Sequence, residues 1–216
     1  ILEEITHMEK QALIIANGSQ NSLENILRYS ENRSVIALDG AYNQLSNESI
    51  TIDSVIGDLD SITPKALLKA KQLGVNIIHT ADQNHTDLDK AIQHLDQQHF
   101  SDIIILNATG LRMDHTLHNL QLLSRHYQPH RPIKIITEIE TITLVKDNTI
   151  RLRGETETGI GVIGAPKGIV SSQGLMYDMD ELTLEFGYRD STSNCLKHQN
   201  ATLTVNGQVL VTQHLQ

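Results

Sequence analysis

Residues 53–80 read DSVIGDLDSITPKALLKAKQLGVNIIHT, and this stretch decides the fold. Asp53–Gly57 is a short, continuous apolar run, the pattern of a strand buried on both faces. Gly57-Asp58-Leu59-Asp60-Ser61 ends it. Thr63 is then a good N-cap, Pro64 suits the first helical position, and Gly74 sits just past Lys65–Leu73. Val75–Thr80 is a second apolar run. Strand, helix and strand at this spacing predict a parallel crossover unit.

The pattern extends in both directions. Ala12–Asn17, Ser34–Asp39, Asp102–Asn107 and Ile133–Glu138 are further short runs rich in Ile, Leu and Val. Thr86 caps a helix with Leu88, Ala91, Ile92 and Leu95 as its apolar stripe, and Asp89 is the acidic half of a capping-box-like pair. Another helix is expected from about Arg112 to His126, with Met113, Leu117, Leu120 and Leu123 inward. Residues 1–138 thus read as a doubly wound, mostly parallel α/β domain. Beyond Glu138 the runs are all strand-like: Ile142–Lys146, Thr149–Arg153, Ile160–Ile163, Leu182–Phe186, Thr202–Val205 and Val209–Thr212. Asp147-Asn148, Ala165-Pro166-Lys167-Gly168 and Asn206-Gly207 separate some of them, and the last predicts a hairpin. Residues 139–216 read as a small all-β domain, a sandwich or barrel.

Seventeen basic against 26 acidic residues give a net charge of −9. Such a surface repels phosphodiester backbones and argues against nucleic-acid or acidic-membrane partners. Aromatics are 3 % of the chain and Trp is absent, which removes the stacking platforms of single-strand binders. No apolar run approaches the ~18 residues of a membrane span. The stretch Ile1–Ile5 lacks the basic and apolar regions of a secretory signal. A single cysteine, Cys195, suits a reducing compartment. Together these predict a cytoplasmic protein.

The chemistry gathers at the strand ends: Asn17-Gly18-Ser19, Asp39-Gly40-Ala41, Gly57–Ser61, Asp82–Asp87, and Asn107–Gly110 followed by Arg112, Asp114 and His115. Open parallel sheets bind ligands outside the carboxyl ends of their strands. Asp39, Asp58, Asp60, Asp87 and Asp114 are therefore expected on one rim, where crowded carboxylates call for a cation. Hard oxygen ligands beside room for phosphates suit Mg²⁺. Glycines and a helix starting near Arg112 would favour an anion. The residues alone thus point to a Mg²⁺–nucleotide or Mg²⁺–phosphoester site. Asp39-Gly40 by itself reads as a turn. Asp58 and Asp60 share a side if the backbone between them is extended. Lys90, in the first turn of its helix, is a candidate phosphate contact. Arg112 and Asp114 could also be a structural ion pair. His115 and His118 are spaced i, i+3 but lack the partners of a zinc site. Neither standard nucleotide-binding glycine fingerprint is present.

Five segments in order, Asp39-Gly40-Ala41, Gly57–Ser61, Asp82–Leu88, Ala108–His115 and Ser191–Asn194, resemble the thiamine pyrophosphokinase family. The resemblance implies a homodimer that moves a diphosphoryl group from ATP to the hydroxyl of thiamine, releasing AMP. It implies Mg²⁺ near Asp39, Asp58, Asp60 and Asp87, with Asp58, Asp60, Asp87 and Asp114 catalytic. Asp39, Gln83, Thr86, Lys90, Thr109, Gly110 and Arg112 would bind nucleotide, and Ser191, Ser193 and Asn194 thiamine. Ala41 and Leu111 stand where the family often has glycine. Without Trp, the ring-stacking role falls to Tyr177, Phe186, Tyr188 or an aliphatic residue. A pterin diphosphokinase and a silent nucleotide or thiamine diphosphate sensor are the competing readings.

Overall fold

The computed structural model describes residues 9–215. The chain forms two compact units, one holding residues up to Leu122 with Gln128–Ile133, the other Leu123–Tyr127 with Lys134 onward.

In the first unit the elements alternate: β1 (Gln11–Ile15), α1 (Leu23–Ser30), β2 (Ser34–Leu38), α2 (Asp39–Leu45), β3 (Ser54–Gly57), α3 (Pro64–Gln72), β4 (Asn76–His79), α4 (Asp87–Gln97), β5 (Asp102–Leu106) and α5 (Met113–Arg125). The strands lie in the order β5-β1-β2-β3-β4, all parallel. Right-handed crossovers put α1, α2 and α3 on one face, and the reversal between β4 and β5 puts α4 on the other. The sheet is therefore doubly wound, as the alternation predicts.

Local sequence explains these elements. Thr63 Oγ1 accepts from Ala66 N at 3.2 Å, with Pro64 at the start of α3. In α4, Leu88, Ala91, Ile92 and Leu95 are all at most 2 % exposed. β1 is covered on both faces, whereas β4 is an edge strand with Ile77 and Ile78 only half-buried. The inward face expected for α5 holds at Leu123 and fails at its first two positions. Met113 and Leu117 are 67 % and 48 % exposed, while Asn119, Leu122 and Leu123 are buried. The helix carries two apolar faces, and the one buried is set by Asn119, whose amide donates to Ala108 O at 2.7 Å.

The second unit is antiparallel. It contains β6 (Ile133–Ile136), β7 (Glu140–Arg153), β8 (Gly159–Gln173), β9 (Leu182–Glu185), β10 (Ser191–Cys195) and β11 (Asn200–His214). β6, which the sequence places at the end of the α/β domain, runs antiparallel to β7. β11 pairs with β7 on one side and β8 on the other. β10 and β9 pair with different stretches of β8. The long strands fold over themselves, so Leu152, Leu203 and Val170 from one half share a core with Val145, Val162 and Val209 from the other. That core makes the unit a sandwich.

The expected hairpin at Asn206-Gly207 is instead a bend within continuous β11. Register shifts between Val205 and Gln208, Gly207 has φ +93°, and its N–H donates to Asp147 Oδ1 at 2.7 Å. Asp147-Asn148 and Ala165–Gly168 likewise lie inside β7 and β8. Residues that permit a turn here permit a bulge instead, because both edges of β11 are already paired.

Candidate active site

A cleft of about 550 Å³ opens at the carboxyl ends of the parallel strands, lined among others by Asp39, Asp58, Asp60, Gln83, Thr86 and Asp87. Its centre is acidic. One carboxylate oxygen from each of Asp39, Asp58 and Asp87 lies within 4.8 Å of the others.

Each acid is placed by its element. Asp39 opens α2 directly after β2 and is 3 % exposed. Its Oδ1 accepts from Gly40 N at 2.5 Å and its Oδ2 from Ser61 N at 3.4 Å. Gly57 makes room for it, since a Cβ there would stand 2.7 Å from Asp39 Cγ. Burial, then the charges of Asp87 and Asp58, push the Asp39 carboxyl above the usual carboxylate range, against the two backbone N–H bonds. Asp87 begins α4, where the helix dipole favours its charge. Lys90, with its side chain 7 % exposed, donates to Asp87 Oδ1 at 3.1 Å and to Thr80 O at 3.4 Å. Lys90 is thus a buried counter-charge to the acid group. Thr86 Oγ1 caps α4 through Asp89 N at 3.4 Å and meets His118 Nε2 at 3.3 Å.

Asp60 lines the cleft without joining the trio. Leu59 has φ +66°, so the backbone is not extended and the i, i+2 argument fails. The Asp60 carboxylate instead accepts from Ser61 Oγ at 2.8 Å. Arg112 lines the rim, and its exposed guanidinium holds Asp114 by two bonds, Nε to Oδ1 at 3.1 Å and Nη2 to Oδ2 at 2.5 Å. That guanidinium brings the Asp114 carboxyl down to about 2. Asp114 is not part of the cleft wall. A carboxylate so held is a weak base, paired in this structure with Arg112. Asp82 contacts His85, and the Asn84 N–H holds its carboxyl below the usual range. Gly110 joins the wall with φ +76°, while Thr109, outside it, accepts from Ser19 N at 2.8 Å. Leu111, also in the wall, is 80 % exposed.

The sequence reading has no place for Asn119 and no such role for Asn107 or His118. Asn107 is buried with φ +57°, and its Oδ1 accepts from Asn21 N at 2.7 Å. Asn119 and His118 hold Ala108 and Thr86 from α5. Their signal is weak, because only packing tells which face of α5 turns inward.

Ser191, Ser193 and Asn194 lie on β10 in the second unit. Asn194 is 3 % exposed. Its Oδ1 accepts from Tyr177 N at 3.1 Å and Cys195 N at 2.9 Å, and its Nδ2 donates to Tyr177 O at 2.8 Å. The amide is occupied within the chain and fixes the Tyr177 backbone. Ser193 is exposed with φ +60°.

Residues 27–135 match the model of the thiamin pyrophosphokinase catalytic domain, and residues 147–210 that of the thiamin pyrophosphokinase vitamin B1 binding domain. Thiamin pyrophosphokinase 1 of Caenorhabditis elegans is 31 % identical over 81 % of this chain and 75 % of its own length. The crystal structure of thiamine pyrophosphokinase from Bacillus subtilis superposes with a TM-score of 0.84 at 24 % identity, covering 95 % of this chain and 99 % of that one. The yeast thiamin pyrophosphokinase structure gives 0.86 at 17 % identity, over 97 % and 87 %.

Proposed function

Since the chain belongs to the thiamin pyrophosphokinase family, matching both of its domain models in order, we propose that its acidic cleft carries the transfer of a diphosphoryl group from ATP to thiamine. The thiamine hydroxyl oxygen bonds to the β-phosphorus, the bond from that phosphorus to the α-bridging oxygen breaks, and AMP leaves. The hydroxyl proton passes to a cleft carboxylate.

The trio of Asp39, Asp58 and Asp87 carries the proposal. Three acids this close, one of them buried and raised, fit a divalent cation better than bare protein. Bound there, Mg²⁺ would neutralise the carboxylates and draw charge from the phosphates. Lys90 holds Asp87 in place, and Arg112, steadied by Asp114, faces the phosphates from the other rim. Asp60, Gln83, Thr86 and Gly110 complete the nucleotide wall, with Thr109 behind it. The second unit supplies Ser191, Ser193 and the Asn194-anchored Tyr177 for thiamine, while the α/β unit serves the nucleotide. Tyr177, Phe186 and Tyr188 are each at least 70 % exposed, which supports a homodimer formed through the sandwich. A single cysteine supports a cytoplasmic location.

The test is formation of thiamine diphosphate from ATP and thiamine with and without Mg²⁺. Turnover only with the cation, lost in Asp58→Asn, is expected. Equal turnover in excess chelator would overturn the metal assignment.

A further inference from the structure

Thr86 lines the cleft, and a histidine of α5 stands against its hydroxyl. We infer that His118 is a positioning residue for the reaction: it donates from Nε2 to Thr86 Oγ1, so that the hydroxyl proton is left for a phosphate oxygen in the cleft. This rests on the proposed function and gives His118 a part in it.

A threonine hydroxyl has one proton to give and two lone pairs to fill. One lone pair of Thr86 Oγ1 is taken, because as the cap of α4 it accepts from Asp89 N at 3.4 Å. His118 Nε2 lies 3.3 Å from the same oxygen, and either atom can be the donor there. Were Thr86 to donate to the ring, its remaining lone pair would face the cleft and repel an anionic phosphate. With Nε2–H donating, both lone pairs are filled and the proton is free to meet the phosphate. A phosphate chain in the cleft therefore selects the second arrangement, and Thr86 becomes a donor next to Asp87, where negative charge is crowded.

The ring is held for this task. Asn119, the next residue of α5, is buried and donates to Ala108 O at 2.7 Å, which fixes the rotation of the helix. His118 is half-buried, a position where a leucine would fill the same space without supplying a donor. On the other side, Lys90 donates to Asp87 Oδ1 at 3.1 Å. The Thr86-Asp87 pair is thus pinned by α5 at its hydroxyl and by α4 at its carboxylate. That keeps the spacing between a phosphate donor and an acid of the trio.

Calorimetry on the full chain tests this. His118→Leu should weaken MgATP binding about fivefold to tenfold, the scale of one hydrogen bond, and leave the Michaelis constant for thiamine within twofold. His118→Gln, whose amide nitrogen reaches the place of Nε2, should restore the affinity to within twofold of the parent. His118→Asn, one carbon shorter, should not. In a Thr86→Val background, His118→Leu should weaken MgATP binding no further, since the hydroxyl it acts on is gone. Nitrogen-15 spectra of the parent's histidine rings should show Nε2 of His118 protonated with MgATP bound, a readout that needs no variant to fold. Unchanged affinity in His118→Leu, an equal loss in the Thr86→Val background, no gain of Gln over Asn, or an unprotonated Nε2 in the complex would each overturn the assignment. Failure of the underlying reading would look different: the parent itself would bind no MgATP, and the assignment would fall with it.

Discussion

Replacing Asp87 by asparagine keeps the side chain's size and removes one of three crowded negative charges. At 4.8 Å, the widest separation in the trio, and an effective dielectric near 20, two carboxylates repel by about 3.5 kcal/mol, so relief from Asp39 and Asp58 is worth roughly 7 kcal/mol. Against this, the Lys90–Asp87 contact at 3.1 Å is lost, about 5 kcal/mol on the same scale, and leaves a buried ammonium without its carboxylate. The two changes nearly cancel, and the metal-free fold should stay within about 1–2 kcal/mol of the parent. Function has no such compensation. A neutral amide neither holds a divalent cation well nor answers the charge developing on the phosphates. We expect kcat to fall by on the order of 10²-fold or more, at least ~2.7 kcal/mol in the barrier. The assay is kcat at saturating ATP and thiamine, with thermal midpoints measured with and without Mg²⁺. The parent's midpoint should rise with Mg²⁺ and the variant's should not. A variant with kcat within threefold of the parent and an undiminished Mg²⁺ shift would refute the reasoning.

The neighbouring acid should behave oppositely. Asp89 is fully buried and accepts from Gln93 Nε2 at 3.0 Å, so Asp89→Asn should cost about 1–3 kcal/mol in the urea midpoint and leave kcat within a few-fold. The pH dependence of stability follows from Asp39, raised mainly by burial. Its contribution is fully present below about pH 4, where the unfolded carboxyl is protonated, and is lost as pH climbs through the higher folded value. The Mg²⁺ increment in the thermal midpoint should therefore be larger near pH 7.5 than near pH 4.5; equal increments would contradict this. Asn194→Ala removes the bonds that fix Tyr177 and should raise the Michaelis constant for thiamine several-fold, with that for ATP unchanged.

The parts legible in the sequence are those governed by near neighbours. Thr63, Pro64 and Thr86 mark helix starts because a cap acts within three residues, and the α4 stripe shows because its helix has a single apolar face. The acid trio follows from the parallel topology, which carries residues just after β2 and β3 and at the start of α4 to one rim. What the sequence hides depends on backbone conformation or distant packing. Leu59 in a left-handed conformation separates Asp60 from Asp58. α2 starts at Asp39-Gly40 with no side-chain cap, so it reads as a turn. Asn206-Gly207 bends a strand rather than reversing it because Asp147, 60 residues away, receives the Gly207 N–H. Asn194 also anchors Tyr177 through its amide, a contact 17 residues away that only the folded sandwich brings about.

The fate of two labels in one turnover tests the central claim most directly. With ATP labelled at both the α- and γ-phosphorus, attack at the β-phosphorus predicts the γ label in thiamine diphosphate and the α label in AMP, in equal amounts. Recovery of the γ label in thiamine monophosphate, with the α label in ADP, would contradict it.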